Sequence, residues 1–466
     1  MRPLTLMEMA AAMGGRIVGD VTIPGVTNVC TDSRAVTPGA LFFALKGENH
    51  DGHAFVNDVL DQGATAAVVT EITSVAAKHH VSGRLVHVPD TSAALGRLAA
   101  WYRRQFAAQV IAVVGSNGKT TTKDMISAVL GAKRRGRAAK ASFNNSIGVP
   151  LTLLTVEPAD EFVVVEIGTN HPGEIVALGR IAQPDMVVIT SIGEEHLEFF
   201  GDVETVASEE FSILTCLRGR AFVVLSKQAA QFAPDEPTLP YTKLTYGLEP
   251  DADLRASDIT PTGEGQRFKV NGRTEYVMPV LGRHNVINAL AAVAIGARFR
   301  MAPEDIAAGL RSVRLPPMRM QRVEFGDVSV INDAYNANPS SMAVALEVLD
   351  RLDEPRRKVL ILGDMRELGE RSKGCHQELG RLAGRSTAQL IVAVGAYSRS
   401  VADAAVSIAS TTKRIYSYPT VEHAAEKIPS LVRPGDIVLL KASRAIRLER
   451  LLEPIGQVGA KTPIPV

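Results

Sequence analysis

The central part of the chain alternates short apolar runs with segments of helical periodicity. The apolar runs are residues 110–114, 162–167, 186–190 and 221–225. Runs of this kind are typical of parallel strands that are covered on both faces. Between about residues 250 and 280, polar and apolar positions alternate around turn residues, which indicates antiparallel strands added to the same domain.

The N-terminal part has a related pattern on a smaller scale. Short strand-like runs at 41–45 and 66–69 are separated by Gly, Pro and Asp turns and predict a small α/β domain. Residues 93–106 have apolar positions at helical spacing, so we expect a helix that leads into the central region. Its single tryptophan, Trp101, is interpreted as core packing rather than as a base-stacking platform.

Beyond the central region the strand and helix rhythm resumes. Pro316 and Pro317 follow a helix-like stretch at 303–313 and mark a second boundary. Later strand candidates are residues 358–362, 389–394 and 436–440. With 466 residues, the chain exceeds what one hydrophobic core usually organises. We therefore predict three α/β domains: a small N-terminal domain (1–105), a central parallel-sheet domain (106–313) and a C-terminal Rossmann-like domain (314–466).

Composition narrows the class of protein. Lys plus Arg (51) nearly balance Asp plus Glu (50), so the basic footprint of a nucleic-acid-binding protein is missing and no nucleic-acid partner is expected. The three cysteines are far apart, which fits unpaired thiols in a reducing cytosol. No apolar run reaches the length of a membrane span. We expect a cytoplasmic protein without a membrane partner.

The segment after the first central strand has the composition of a phosphate-binding loop. It reads Gly115, Ser116, Asn117, Gly118, Lys119, Thr120, Thr121 and Thr122. A loop between a strand and a helix aims backbone N–H groups at an anion, while the lysine reaches the terminal phosphates and the threonine hydroxyl suits Mg²⁺. The loop is a shorter variant of the GxxxxGK pattern, because Val113 occupies the place of the first glycine. The central domain is therefore predicted to be a P-loop ATPase domain.

Two further central strands end in polar residues. Glu166 follows one apolar run, and His196 lies shortly after another. Ligands of open parallel sheets bind beyond the carboxyl ends of the strands, so both side chains are candidates to meet the nucleotide and a Mg²⁺ ion. The alternatives are a solvated strand end for Glu166 and a satisfied interior histidine for His196. A polar cluster from Asn332 to Pro339 is typical of a turn and helix cap.

Several motifs carry a family resemblance. They are Thr31-Asp32-Ser33-Arg34, Asp51-Gly52-His53, the phosphate loop, Phe143 to Gly148, Glu166 to Ile175, Gly282 to Asn285 with Asn288, Asn332 to Met342, Leu362 to Met365, and Lys441 to Arg444. In this order they resemble the Mur ligase family of bacterial peptidoglycan synthesis, over essentially the whole chain. The resemblance is closest to the family activity that joins D-Ala-D-Ala to UDP-MurNAc-tripeptide.

The resemblance implies a three-domain ligase that uses ATP and Mg²⁺. The first domain would bind the UDP-sugar peptide, and ATP would lie between the other two domains. ATP would phosphorylate the terminal carboxylate of the peptide, and the D-Ala-D-Ala amine would attack the acyl phosphate. We expect a monomer.

Site roles also follow from the resemblance. The residues implied to bind ATP in the second domain are Gly115, Ser116, Asn117, Gly118, Lys119, Thr120, Thr121 and Asn285, of which Asn285 would contact adenine. Arg319 and Asp333 would contact ATP from the third domain. The metal set is Thr120, Glu166, His196 and Glu210, and the catalytic set is Lys119, Glu166, His196 and Glu210. The substrate set is Ser33 and Arg34 for UDP, with Asn144 and Asn145 in a loop facing the substrate.

Two positions depart from the family pattern. Family members commonly hold a second Mg²⁺ with a carbamylated lysine, and Glu210 stands at that place here. Glutamate could supply the same charge from a shorter stem; the alternative is an exposed helix residue that is misaligned. Glu195 stands where the family usually has alanine, and its carboxylate either joins the metal shell or faces solvent.

Three other functions compete with this interpretation. A sibling ligase that adds the third amino acid usually has an Asp-Asn-Pro-Arg motif, which this sequence lacks. Folylpolyglutamate synthase shares the central fold but lacks the first domain. A nucleotide-binding partner subunit without ligase activity is the alternative from another class.

Overall fold

The computed structural model describes residues 1–19, 25–47, 50–72, 84–234, 241–262, 265–352 and 355–459. Its strands form three separate sheets of five, nine and six strands in chain order. The predicted class, a three-domain mixed α/β fold, is confirmed. The exact boundaries after residues 105 and 313 stay predictions. Within the described residues, no helix is long and apolar enough to cross a membrane.

The first sheet has the order β1-β5-β4-β3-β2, in which only the β1–β5 pair is antiparallel. Its elements are α1 (Leu6–Met13), β1 (Arg16–Val18), β2 (Asn28–Cys30), β3 (Ala40–Phe43), α2 (Val56–Asp61), β4 (Ala66–Val69), β5 (Leu85–His87) and α3 (Thr91–Arg103). The strands predicted at 41–45 and 66–69 correspond to β3 and β4.

Helix α3 connects the first sheet to the central region. It begins after Asp90, whose side chain accepts the N–H of Ala93 at 2.9 Å, and it ends three residues earlier than predicted. Near its end, the buried Arg103 guanidinium donates to Asp185 Oδ2 at 2.6 Å, and the Tyr102 hydroxyl donates to the Val156 carbonyl at 2.7 Å. These buried contacts fasten α3 to the central domain.

The second sheet has nine strands in the order β14-β13-β12-β11-β10-β9-β6-β8-β7. Its elements are β6 (Gln109–Val114), α4 (Lys119–Gly131), β7 (Gly136–Ala138), α5 (Gly148–Leu153), β8 (Phe162–Glu166), α6 (Glu174–Ala182), β9 (Met186–Ile189), α7 (Leu197–Phe200), α8 (Val203–Phe211), β10 (Ala221–Ser226), α9 (Lys227–Ala230), β11 (Tyr241–Gly247), β12 (Leu254–Pro261), β13 (Gln266–Val270), β14 (Thr274–Met278), α10 (Arg283–Arg298) and α11 (Pro303–Arg311). Strands β6 to β12 pair in parallel, and β12, β13 and β14 pair antiparallel as expected for 250–280.

Strand β6 lies at the centre of this parallel sheet, between β8 and β9. Its apolar residues alternate between two cores: Ala112 packs on one face and Val113 on the other. This two-sided burial explains the continuous apolar run in the sequence. The carboxyl ends of β6, β8 and β9 therefore meet at one edge, which brings the loops that follow them together.

The third sheet has the order β15-β16-β20-β17-β18-β19, with β15 as an antiparallel edge strand. Its elements are β15 (Gln321–Phe325), β16 (Val328–Asp333), α12 (Pro339–Asp350), β17 (Lys358–Gly363), α13 (Ser372–Arg385), β18 (Leu390–Val394), α14 (Ser398–Val406), β19 (Arg414–Tyr418), α15 (Val421–Leu431), β20 (Ile437–Lys441) and α16 (Leu452–Gly459). Helices α12 to α14 share a core with one face, and α15 and α16 share a core with the other.

Helix α11 packs closely on α4 through Gly309. A Cβ at this position would lie 2.4 Å from the Val129 Cα, whereas a Cβ on Gly131 meets no atom of the described chain within 4 Å. We predict that Gly309→Ala lowers the apparent melting temperature by about 2–8 °C, because backbone must move to admit the methyl group. The matched Gly131→Ala should leave it unchanged or slightly raised. Equal melting temperatures for the two variants in a thermal scan would contradict this packing.

Candidate active site

The phosphate loop joins β6 to α4 through two glycines in the left-handed region, Gly115 at φ +117° and Gly118 at φ +84°. The segment after β9 holds the loop from the side. Ser116 N–H donates to the Ser191 carbonyl at 2.7 Å, and Asn117 N–H donates to the Ser191 hydroxyl at 3.0 Å. The loop is therefore held in shape by the neighbouring strand end, with the N-terminus of α4 behind it.

The Lys119 side chain lies along this loop and is 13% exposed. Its ammonium donates to the Gly115 carbonyl and lies 3.5 Å from Glu195 Oε2. Burial lowers the pKa of Lys119, but the charges of Glu195, Glu210 and Glu166 outweigh this effect, so the pKa is raised. The lysine is thus positively charged at neutral pH and can bind a phosphate.

Three buried carboxylates surround this lysine. The exposed fractions are 1% for Glu166, 6% for Glu195 and 0% for Glu210. In each, one oxygen is buried without a hydrogen-bond partner among the described residues: Oε2 of Glu166, Oε1 of Glu195 and Oε1 of Glu210. The solvated alternatives for Glu166 and Glu195, and the exposed-helix alternative for Glu210, are therefore wrong.

The other oxygens of two of these carboxylates are bonded. Glu166 Oε1 accepts the Asn144 amide at 3.0 Å, and Glu210 Oε2 accepts the Gly115 N–H at 2.7 Å. Burial raises the pKa of Glu210 while the charge of Lys119 lowers it, so a cation that enters the site would favour the ionised carboxylate. Glu210 thus supports the phosphate loop from beneath, at a contact that spans 95 positions of the sequence.

This donor set fits Mg²⁺. Buried carboxylate oxygens without partners are costly unless a cation joins them, and carboxylates are the hard ligands that Mg²⁺ prefers. The Thr120 hydroxyl adds a further oxygen, 3.2 Å from the Ser142 hydroxyl. In the described ranges no three His, Cys, Asp or Glu side chains form a ready-made metal cage. Mg²⁺ sites that are completed by substrate phosphates need no such cage.

His196 faces the third domain. It has a left-handed backbone, φ +47°, and its Nδ1 lies 2.6 Å from Glu367 Oε2. The nearby imidazole lowers the pKa of Glu367. A second contact lies close by, where Arg371 donates to Glu194 at 2.6 Å. The loop that carries His196 is therefore fixed partly by the third domain.

The third domain also reaches the phosphate loop. Asn338 caps α12 by accepting the Ser341 N–H at 2.8 Å, which confirms the predicted turn and cap. Its amide also donates to Asn117 Oδ1 at 3.0 Å, and the Asn117 amide donates to Ser340 at 3.0 Å. Asp333 accepts from Lys441 at 2.5 Å. These side chains bring the second and third domains to one site.

A cavity of about 730 Å³ opens between these two domains. Its volume is in the range of small-molecule sites. Thirteen of the predicted site residues line it: Ser116, Asn117, Gly118, Lys119, Thr120, Thr121, Asn144, Asn145, Glu166, His196, Asn285, Arg319 and Asp333.

Known protein families match the chain in three consecutive segments. The family models are described as "Mur ligase family, catalytic domain" at residues 25–103, "Mur ligase middle domain" at 113–296 and "Mur ligase, glutamate ligase domain" at 318–444. A UDP-N-acetylmuramoyl-tripeptide–D-alanyl-D-alanine ligase of Bacillus subtilis is 36% identical over 92% of this chain and 93% of its own length. The chain belongs to the Mur ligase family.

Solved structures agree with this assignment. A crystal structure of MurF from Acinetobacter baumannii is 31% identical, covers 98% of this Mur ligase and 99% of its own chain, and has a TM-score of 0.86. A MurF ligase of Thermotoga maritima in complex with ADP is 28% identical and covers 94% of this chain and 98% of its own, with a TM-score of 0.79. The three-domain arrangement is thus that of MurF structures.

The remaining predicted residues lie elsewhere in this Mur ligase. Gly115 begins the loop and Glu210 accepts its N–H from behind, and neither is among the described residues that line the cavity. Ser33 and Arg34 belong to the first domain, where the Arg34 side chain is 88% exposed and pairs with Asp32 at 2.8 Å. Their role in binding UDP stays a prediction, as do the individual roles of the lining residues.

Several residues of the site carry no predicted role. Ser142 bonds Thr120 and, at 3.3 Å, Arg319, and it immediately precedes a family motif. Lys441 begins another family motif, and this position in a motif is the signal in the sequence for its pairing with Asp333. Glu367 has no comparable signal, because its contact depends on how two domains meet.

Gly115 is held too tightly for a side chain. A Cβ there would lie 2.4 Å from Thr190 Oγ1 and 2.8 Å from the Ser191 carbonyl oxygen, whereas one on Gly201, also left-handed at φ +80°, meets no described atom within 4 Å. Both Ala variants cost about 1 kcal/mol in backbone strain. We predict that only Gly115→Ala weakens ADP binding, by about tenfold or more, because the loop must deform. Calorimetric titrations that give the same Kd for both variants would contradict this.

Proposed function

We propose that this Mur ligase joins D-alanyl-D-alanine to UDP-N-acetylmuramoyl-tripeptide at the expense of ATP. The observation that carries the proposal is the single cavity in which Lys119 and Glu166 of the second domain face Arg319 and Asp333 of the third. It is supported by near-full-length similarity to ligases whose names state this reaction.

The nucleotide is proposed to bind across this cavity. The phosphates contact the loop and the N-terminus of α4, where backbone N–H groups favour anions, and Lys119 contacts the γ-phosphate. Asn285 contacts adenine: it is buried, and its amide donates to the Leu281 carbonyl at 2.7 Å. Arg319, whose guanidinium lies 4.2 Å from the centre of the Tyr335 ring, and Asp333 approach from the third domain.

Thr120, Glu166 and His196 would hold Mg²⁺, and Glu210 would add charge from beneath the loop. When bound, Mg²⁺ neutralises phosphate charge that would otherwise repel the incoming carboxylate. Asn144 fixes the Glu166 carboxylate by its 3.0 Å hydrogen bond. His196 is oriented by Glu367, as metal-binding histidines often are by carboxylates.

The reaction has two steps. A carboxylate oxygen of the tripeptide attacks the γ-phosphorus, the bond from the γ-phosphorus to the bridging oxygen breaks, and ADP leaves. The amine of D-Ala-D-Ala then attacks the acyl carbon, inorganic phosphate leaves with the bond electrons, and the amine loses a proton. Lys119 stabilises the transferring phosphoryl group throughout.

The peptide substrate is proposed to extend from the first domain to this cavity. Ser33 and Arg34 would contact the UDP group, because the Arg34 guanidinium, although it pairs with Asp32, is 88% exposed and accessible to a diphosphate. Asn144 and Asn145 line the cavity on the substrate side. We further propose that the enzyme works as a cytoplasmic monomer.

The defining experiment measures phosphate release with ATP, UDP-MurNAc-tripeptide and D-Ala-D-Ala. We expect release that requires all three, and we expect Lys119→Ala to lower kcat/KM by about 10²–10³-fold because phosphoryl charge is no longer stabilised. Lys133→Ala, just beyond the C-terminal end of α4 and with a side chain 59% exposed, is the matched control. Release without the dipeptide indicates an ATPase, release that requires another amino acid in its place indicates a sibling ligase, and no release at any Mg²⁺ concentration favours a non-catalytic partner subunit.

Glu210→Gln tests the charge beneath the loop, since the carboxamide oxygen still accepts the Gly115 N–H. We predict that it raises the Mg²⁺ concentration for half-maximal turnover by about 10–100-fold, because the negative charge is lost. Glu204→Gln, an exposed position on the same helix, should match the wild type. If Glu210→Gln and Glu210→Ala both keep the wild-type Mg²⁺ dependence, Glu210 has no part in metal binding.

A further inference from the structure

Glu195 and Glu210 are the two carboxylates that depart from the family pattern, and they differ in whether they line the cavity. Glu195 lines the cavity, while Glu210 is outside the described lining residues and is bonded to the loop. The two side chains interact with each other and with Lys119. The carboxylate that an incoming nucleotide would meet is therefore that of Glu195.

The backbone holds Glu195 in this position. Its N–H donates to the Gly193 carbonyl at 2.9 Å, and Gly193 N–H in turn donates to the Ser116 hydroxyl at 2.8 Å. Glu195 also precedes His196, whose left-handed backbone turns the chain into α7. The residue is thus tied to the phosphate loop on one side and to a candidate metal ligand on the other.

Its contacts leave one oxygen available. Oε1 is buried and accepts no hydrogen bond from an N–H or hydroxyl donor in the described part of the chain, although the Glu195 carboxylate lies within hydrogen-bonding reach of Glu210. Oε2 lies 3.5 Å from Lys119, longer than the 2.7–2.9 Å or so of a strong charge-assisted hydrogen bond. Lys119 makes its closer contact with the Gly115 carbonyl. Pairing with Lys119 therefore does not satisfy the Glu195 carboxylate.

The arrangement of charged side chains around Lys119 also favours a bound cation. Glu166, Glu195 and Glu210 face the single ammonium of Lys119. Buried carboxylates that crowd around one ammonium are costly, and a cation that enters with ATP would relieve this cost. Glu166, which lines the same cavity, also has a buried oxygen without a hydrogen-bond partner, Oε2, among the described residues. Two such carboxylates lining one cavity form the kind of ligand pair that Mg²⁺ uses beside phosphates.

We propose that Glu195 is a metal-binding residue of this enzyme, which ligates Mg²⁺ together with Glu166 when ATP is bound, and that Glu210 acts behind it as a positioning residue. The proposal rests on the ATP site of the proposed function. The proposal explains why position 195 is glutamate and not the usual alanine. Glu195 supplies a carboxylate to the cavity, whereas the Glu210 carboxylate is held under the loop.

The test measures metal binding without turnover. Mn²⁺ replaces Mg²⁺, and the concentration of free Mn²⁺ is measured by electron paramagnetic resonance in the presence of a non-hydrolysable ATP analogue. We expect Glu195→Gln to weaken Mn²⁺ binding to the protein–analogue complex by about 100-fold or more, and Glu210→Gln to weaken it by about 10–100-fold. Glu204→Gln is the control. Glu195→Ala, which restores the usual family residue, is the second variant and should fold.

Two results would overturn the proposal. One is Mn²⁺ binding in Glu195→Gln and Glu195→Ala with the wild-type affinity. The other is unchanged Mn²⁺ affinity with tighter binding of the metal-free analogue, which would make Glu195 a counter-ion of Lys119 only. Because neither tripeptide nor D-Ala-D-Ala is added, these results are independent of the ligase assay, and failure of that assay leaves the Mn²⁺ measurement valid.

Discussion

Three carboxylates and one ammonium group share a buried space at the carboxyl edge of the central sheet, and the surrounding structure maintains this charge arrangement. The strand order places β6 between β8 and β9, so that Lys119, Glu166 and Glu195 follow neighbouring strand ends. Glu210 approaches from helix α8 and holds the first glycine of the loop. Because each charge is buried, its position is strongly constrained by its neighbours.

The same loop is also the meeting point of two domains. Asn117 exchanges hydrogen bonds with Asn338 and Ser340, and His196 lies against Glu367. Arg371 with Glu194 and Arg319 with Ser142 add two more polar contacts, and polar interfaces are common where domains move relative to each other. Opening of the third domain would therefore withdraw support from the phosphate loop and from His196 in one motion.

Much of this architecture could be predicted from the sequence, since its signals are local. Continuous apolar runs identified β6, β8, β9 and β10, and the glycines with lysine identified the phosphate loop. Strand β11 begins with exposed polar residues, and β7 has three residues, so neither has a clear pattern. The burial of Glu195 and Glu210 could not be foreseen, because a glutamate on a helix or loop is usually solvated. Their environment arises from contacts between residues distant in sequence.

Helix α3 has a consequence for substrate choice. The buried hydrogen bonds of Tyr102 and Arg103 fasten the first domain to the second. If the sugar nucleotide is held by the first domain, its distance from the phosphate loop is fixed by the protein. The length of the peptide then decides whether its carboxylate reaches the phosphate loop. A peptide that is one residue too short leaves its carboxylate out of reach, and one that is too long has no room to fold back.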